Sequence, residues 1–148
     1  MKKLSNTLII GIGNNTRQDD GLGWKFLSML EEDGFIVDNL VYKYQLMVED
    51  AELISEFDSV IFIDACKSKL ENGFTFERIY SAEEVLFSTH SVPPNQILNL
   101  CETIYAKNPK AYLIKIQGCN WDIGIGFSEL AETNLRNAFS CFVENLFR

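Results

Sequence analysis

The sequence is poor in the features that mark several large functional classes. It has one histidine, His90, and no H-E-x-x-H motif, which excludes a zincin site. It has no cluster of Lys or Arg. Its 13 basic and 21 acidic residues leave a net charge of −8, a poor surface for nucleic acid. Its four cysteines, Cys66, Cys101, Cys119 and Cys141, show no C-x-x-C spacing. Neither a long apolar h-region nor a small-residue cleavage site follows Met1-Lys2-Lys3, so these thiols are expected to be reduced and the protein cytoplasmic. The longest apolar runs fall far short of the ~18–20 residues of a membrane span, so no membrane partner is expected. No linker, repeat or low-complexity tract divides the chain. Its 148 residues, 47% of them apolar, fit one globular domain over 1–148.

The densest information lies in Gly11-Ile12-Gly13-Asn14-Asn15-Thr16-Arg17-Gln18-Asp19-Asp20-Gly21-Leu22-Gly23. An apolar run, Leu8 to Ile12, precedes it, and a helical pattern with Leu22, Phe26, Met29 and Leu30 on one face follows. Gly34 ends that helix. The rest of the chain alternates in the same way. Strands are predicted at Phe35 to Gln45, Ser59 to Asp64, Phe74 to Tyr80 (an edge strand) and Ala111 to Gln117. Helices are predicted at Val48 to Phe57, from Pro93-Pro94 to about Lys107, and from Phe127 to Phe147. The closing helix carries Phe127, Leu130, Leu135, Ala138, Phe139, Phe142, Val143 and Leu146 as its apolar face. The expected fold is α/β: a three-layer α/β/α sandwich around a mostly parallel, twisted, five-stranded sheet.

In such a sheet ligands bind beyond the carboxyl ends of the strands. Asp19 and Asp20 follow the first strand, Asp64 ends the third, and His90 lies in a loop before the third helix. Asp20, Asp64 and His90 converging on one point would offer two oxygens and a nitrogen, a set suited to Zn, Ni, Co or Fe(II). Each has a plainer reading. An aspartate at a strand end is often a cap or turn former, and a lone loop histidine is more often solvated or structurally hydrogen-bonded. Asp19 is assigned to capping the first helix, and Asp20 to facing the cation. Cys66, without a second histidine to activate it, reads as a packed thiol. Trp24 and Trp121 read as packing residues. Gly11 and Gly13 are expected to permit a tight turn, and Gly21 and Gly23 a close approach at the helix start. A dinucleotide fingerprint fits less well: Thr16 stands where the third glycine belongs, although Asp38 lies near the place of a ribose-binding acid. Adjacent carboxylates also disfavour a pyrophosphate.

The stretch from Gly11 to Gly23 resembles the N-terminal signature of the [NiFe]-hydrogenase maturation proteases, peptidase family M52. Tyr44-Gln45-Leu46 with Glu49 to Leu53, Val60 to Ala65, and Ser88-Thr89-His90-Ser91-Val92-Pro93 are similar to family segments in the same order. A weaker likeness lies at Gly124 to Ser128. Asp122 to Ser128 departs from the usual glycine-leucine-serine sequence, and Asn14 to Gln18 is more polar than in many members. The resemblance implies an aspartic-type endopeptidase that removes a C-terminal extension from the precursor of a hydrogenase large subunit after nickel insertion. It implies that Asp20, Asp64 and His90 are both the metal-contacting and the catalytic residues. The nickel is carried by the substrate, with zinc or cadmium as in-vitro substitutes, and the protease is expected to be a monomer. Whether the metal assists hydrolysis or only signals readiness is left open. So are two other classes: a non-proteolytic chaperone of a metal centre, and a nucleotide-binding α/β protein.

Overall fold

The computed structural model describes residues 3–83 and 92–146. Among these residues five strands and four α-helices follow in the order β1 (Lys3–Ile12), α1 (Leu22–Glu32), β2 (Ile36–Lys43), α2 (Asp50–Ile54), β3 (Ser59–Cys66), β4 (Phe74–Ile79), α3 (Pro94–Tyr105), β5 (Lys110–Gln117) and α4 (Glu129–Leu146). The strand order is β2-β1-β3-β5-β4, parallel except for β4, which runs antiparallel to β5 at one edge. This is the single-domain α/β/α sandwich that the alternation of patterns predicts.

The pleat sorts the strand side chains into two cores. Ile9, Ile61, Ile63, Ile114 and Ile116 face α1 and α4, where Phe26, Leu30, Leu135 and Phe142 cover them. Leu8, Ile10, Val60, Phe62 and Ala111 face α2 and α3, covered by Ala51, Ile54, Ile97 and Leu98. The central strands are buried on both sides, which is why they read as continuous apolar runs rather than alternations. The edge strand β4 is only partly buried and turns Glu77 and Arg78 to solvent, a pattern that discourages further strand pairing. One predicted core residue is misplaced. Leu130 is 45% exposed, because the buried stripe of α4 begins at Ala131 and continues through Leu135, Ala138 and Phe142.

The chain leaves β1 toward β2 on one side and returns through α2 to β3 on the other. The carboxyl ends of β1 and β3 therefore flank the point where the winding reverses, the usual place for a ligand crevice. Ile12 pairs with Asp64 at this point. Close approach of α1 to these ends needs glycine. A Cβ on Gly23 would lie 2.5 Å from the Ile63 carbonyl oxygen and 2.8 Å from that of Ile12. Gly11 serves the same approach and not the turn: it lies within β1, and its Cβ would meet the Gly23 carbonyl oxygen at 2.7 Å. The turn belongs to Gly13, whose φ is +149° and whose missing Cβ makes room for the Asp20 carbonyl.

Gly23→Ala forces α1 off the sheet, because the obstacles are backbone atoms that no rotamer change moves. A loss of about 1–3 kcal/mol, typical of overpacking, is expected from urea denaturation midpoints at unchanged slope.

Candidate functional site

A cleft of about 300 Å³ opens at the reversal point. Asp20 and Asp64 both line it, together with Tyr44, Gln45 and Leu46 after β2 and Val92 to Pro94 before α3. Asp64 is placed by register: it is the β3 residue opposite the end of β1. Asp20 is placed by a short 3₁₀ turn, Gln18–Gly21, that folds back over Gly13. The Asn14 N–H donates to the Asp20 carbonyl at 3.0 Å, and the Asp20 N–H to the Arg17 carbonyl at 3.1 Å. The opposite wall is tied down too. The Val92 N–H donates to the Leu46 carbonyl at 3.0 Å. Asp50 accepts from the Met47 N–H at 2.7 Å and pairs with Lys43 at 3.0 Å, which holds the segment between β2 and α2. His90 lies outside the described residues.

The two carboxyls feel each other. Burial, and then the negative charge of Asp20, push the Asp64 carboxyl up to about 7. Burial also raises Asp20, and the charges of Arg17 and Lys67 and the Asn14 amide offset only part of that. Near neutral pH the Asp64 carboxyl is therefore close to half-protonation, beside a second carboxyl that burial also raises. Such a pair can take a proton at one oxygen and give one at another. It also has the oxygen donors and the unrelieved negative charge that a divalent cation satisfies. Among the described residues, no group of three or more His, Cys, Asp or Glu side chains is arranged to hold a metal ion. Cys66, two residues beyond Asp64, is not activated. Burial raises its thiol, which donates to the Ser68 carbonyl at 3.6 Å.

Asp19 does not cap α1. That helix starts at Leu22 with Gly21 as its N-cap and has no side-chain cap. Asp19 is fully buried and turns its carboxylate the other way, toward the loop between β5 and α4. It accepts from the N–H groups of Cys119 (2.8 Å), Asn120 (2.9 Å) and Ser128 (2.9 Å), and from the Ser128 hydroxyl (2.7 Å). Ser128 in turn caps α4 by accepting from the Ala131 N–H at 3.1 Å. Burial pushes the Asp19 carboxyl up, but these four donors outweigh it and hold the group below the usual carboxylate range. Sequence reasoning missed this latch because its partners lie about a hundred residues away. Ser128 as an N-cap ahead of the last helix was its one local trace.

The same turn excludes a phosphate cradle. Its amides are already committed: Gly13 N–H to the Lys43 carbonyl, Arg17 N–H to Asn14, Gln18 N–H to Gly124 and Asp19 N–H to Asn120. A nucleotide-binding turn needs such donors free. Trp24 is more than a packing residue. Its indole N–H donates to the Lys43 carbonyl at 3.0 Å, and its ring contacts those of Tyr42 and Tyr44.

Two pH-dependent outcomes follow from these groups. Asp19→Asn leaves one amide oxygen to serve four donors, so it should cost at least about 2 kcal/mol at pH 7 in chemical denaturation. The Asp19 pKa is depressed in the fold, so its contribution is present above the unfolded value of 3.8 and is lost as pH falls through the folded one. The gap between wild type and variant should therefore narrow in strong acid. Asp64 has the opposite sign. Its folded pKa is raised, so wild type loses stability as pH rises from 3.8 to about 7. In metal-free buffer the thermal midpoint of Asp64→Asn should draw ahead of wild type across that interval and keep a constant lead above it.

No protein-family model matches the chain, and no curated protein matches it in sequence. Solved structures do match. The hydrogenase maturating endopeptidase HybD from E. coli superposes with a TM-score of 0.71 at 22% identity, covering 95% of this chain and 91% of that one. The [NiFe] hydrogenase maturation protease HycI from Thermococcus kodakarensis KOD1 gives 0.71 at 24% identity, covering 97% and 94%. The hydrogenase 2 maturation peptidase from Thaumarchaeota archaeon SCGC_AB-539-E09 gives 0.70 at 18%, covering 97% and 99%. At these identities the likeness is one of fold: over nearly its whole length, the chain is built as the hydrogenase maturation endopeptidases are.

Proposed function

We propose that this protein is an endopeptidase that removes the C-terminal extension from the precursor of a [NiFe]-hydrogenase large subunit once nickel has been inserted. The observation that carries the reading is the pairing of Asp20 and Asp64 in one cleft at the reversal of the sheet, on a fold shared with maturation endopeptidases. The sequence resemblance at Gly11 to Gly23 and around His90 points the same way.

Nickel enters as part of the substrate. Two carboxylate oxygens and an imidazole nitrogen suit such an ion. Asp20 and Asp64 supply the oxygens, and His90 is the proposed nitrogen donor. The chain returns to the cleft at Val92, two residues after that histidine. A nickel-loaded precursor brings positive charge to a site where two carboxyls repel each other, and a nickel-free one does not. This difference is the proposed basis of sensing. Hydrolysis then needs a base to take a proton from water and an acid to protonate the leaving amine. With nickel bound, its charge draws both carboxyls toward the ionised form, so Asp20 or Asp64 fits the base, and the same group, once protonated, can return that proton to the leaving amine. The working protein is taken to be a cytoplasmic monomer that meets its large partner transiently.

The test uses nickel-loaded and nickel-free precursor side by side, with the product followed by mass. Wild type should shorten only the loaded form. Asp64→Asn and His90→Ala should lower the rate by at least about 10³-fold, the range typical for loss of a group acting in the transition state, with the circular dichroism of the fold retained. Cleavage of the loaded precursor by either variant at the wild-type rate removes that residue from the mechanism. Binding without shortening by wild type would make the protein a chaperone of the metal centre instead.

A further inference from the structure

Beside the reaction cleft lies a second depression that the proposed chemistry leaves unused. It holds about 360 Å³ and is lined by Trp24, Tyr42 and Phe127, with Ile125 among its walls. The two depressions stand back to back. Asp20 lines the first and Gly21 the second. Tyr44 lines the first, and its ring centre lies 5.2 Å from that of Trp24, which lines the second. Next to them the loop before α4 presents Ile123, 81% exposed, and Ile125, 93% exposed. Single exposed apolar residues are ordinary; two on one loop beside an aromatic cleft make a patch of the kind partners cover.

This loop is held in place. Gly124 donates to the Thr16 carbonyl at 2.8 Å and accepts from the Gln18 N–H at 3.0 Å. The buried Asp19 carboxylate binds the amides of Asn120 and Ser128 on either side of it. A surface fixed beforehand loses less conformational freedom on binding.

We infer that the Trp24–Tyr42–Phe127 cleft and the Ile123–Ile125 tip dock an extended apolar segment of the polypeptide substrate, adjacent to the peptide bond presented at Asp20 and Asp64. The inference rests on the peptidase reading and adds its specificity surface. Continuity identifies the occupant. An extended chain advances about 3.3 Å per residue, so a strand crossing the Asp20–Gly21 divide enters the second depression within a few residues. The aromatic and isoleucine walls select an apolar stretch.

The test is the double variant Ile123→Ser/Ile125→Ser, acting on the nickel-loaded large-subunit precursor from the same organism. Both side chains are exposed, so the thermal midpoint should stay at the wild-type value. KM should rise about tenfold or more with kcat changed less than about twofold, as removal of apolar docking contacts away from the reacting bond requires. Serine replacements of the apolar residues flanking the precursor's cleavage site should raise KM for wild type by a similar factor, and add little in the double variant. An unchanged KM while wild type still cuts overturns this inference and leaves the peptidase reading standing. Failure of wild type to shorten the precursor overturns both. A concentration-dependent dimer in sedimentation velocity that the double variant abolishes would assign the surface to a second copy of the chain, and would overturn the inference as well.

Discussion

The arrangement at the carboxyl ends of the strands depends on one buried carboxylate. Asp19 gathers four donors from the loop between β5 and α4 and from the first residue of the α4 cap. A charge in that position is costly unless fully hydrogen-bonded; here every donor is charge-assisted and short. The consequence reaches in two directions. Toward the amino terminus it sets the 3₁₀ turn, and with it the direction of Asp20. Toward the carboxyl terminus it sets the start of α4 and the loop that carries Ile123 and Ile125. Two neighbouring aspartates thus divide the work: Asp19 is buried and ionised for structure, and Asp20 is turned to the cleft.

The cleft itself is an electrostatic compromise. Asp64 is brought to the cleft by sheet register, and its carboxyl is raised by burial and by Asp20 rather than relieved. Sites that keep such tension tend to be the ones that do chemistry. The fold supplies the rest of the frame. Gly23 lets α1 press onto the strand ends, Gly13 opens the turn, and the Lys43–Asp50 pair steadies the far wall.

Much of this was legible in the order of residues. Continuous apolar runs at Leu8 to Ile12 and Val60 to Ile63 announce strands buried on both faces, and the alternation of Phe74 to Tyr80 announces an edge. Hydrophobic period is local information, so it survives in a linear reading. The errors share one cause. Leu130 follows Phe127 at helical spacing but lies one position off the buried stripe of Ala131, Leu135, Ala138 and Phe142, so it turns to solvent. Gly11 looks like a turn glycine and is a packing glycine, because the helix that crowds it comes from twelve residues later.

The amino-acid sequence by itself determined the layers, the strand count, and the placement of Asp20 after β1 and of Asp64 near the end of β3. These are properties of neighbours along the chain, set by side-chain period and turn chemistry. Only the tertiary structure decided that Asp19, assigned from the sequence to a helix cap, locks a distant loop. It also decided that the turn amides are spent internally and that two depressions share an aromatic wall. Each of those outcomes depends on groups separated by tens to about a hundred residues, whose meeting is fixed by sheet order and register, and no local pattern encodes it.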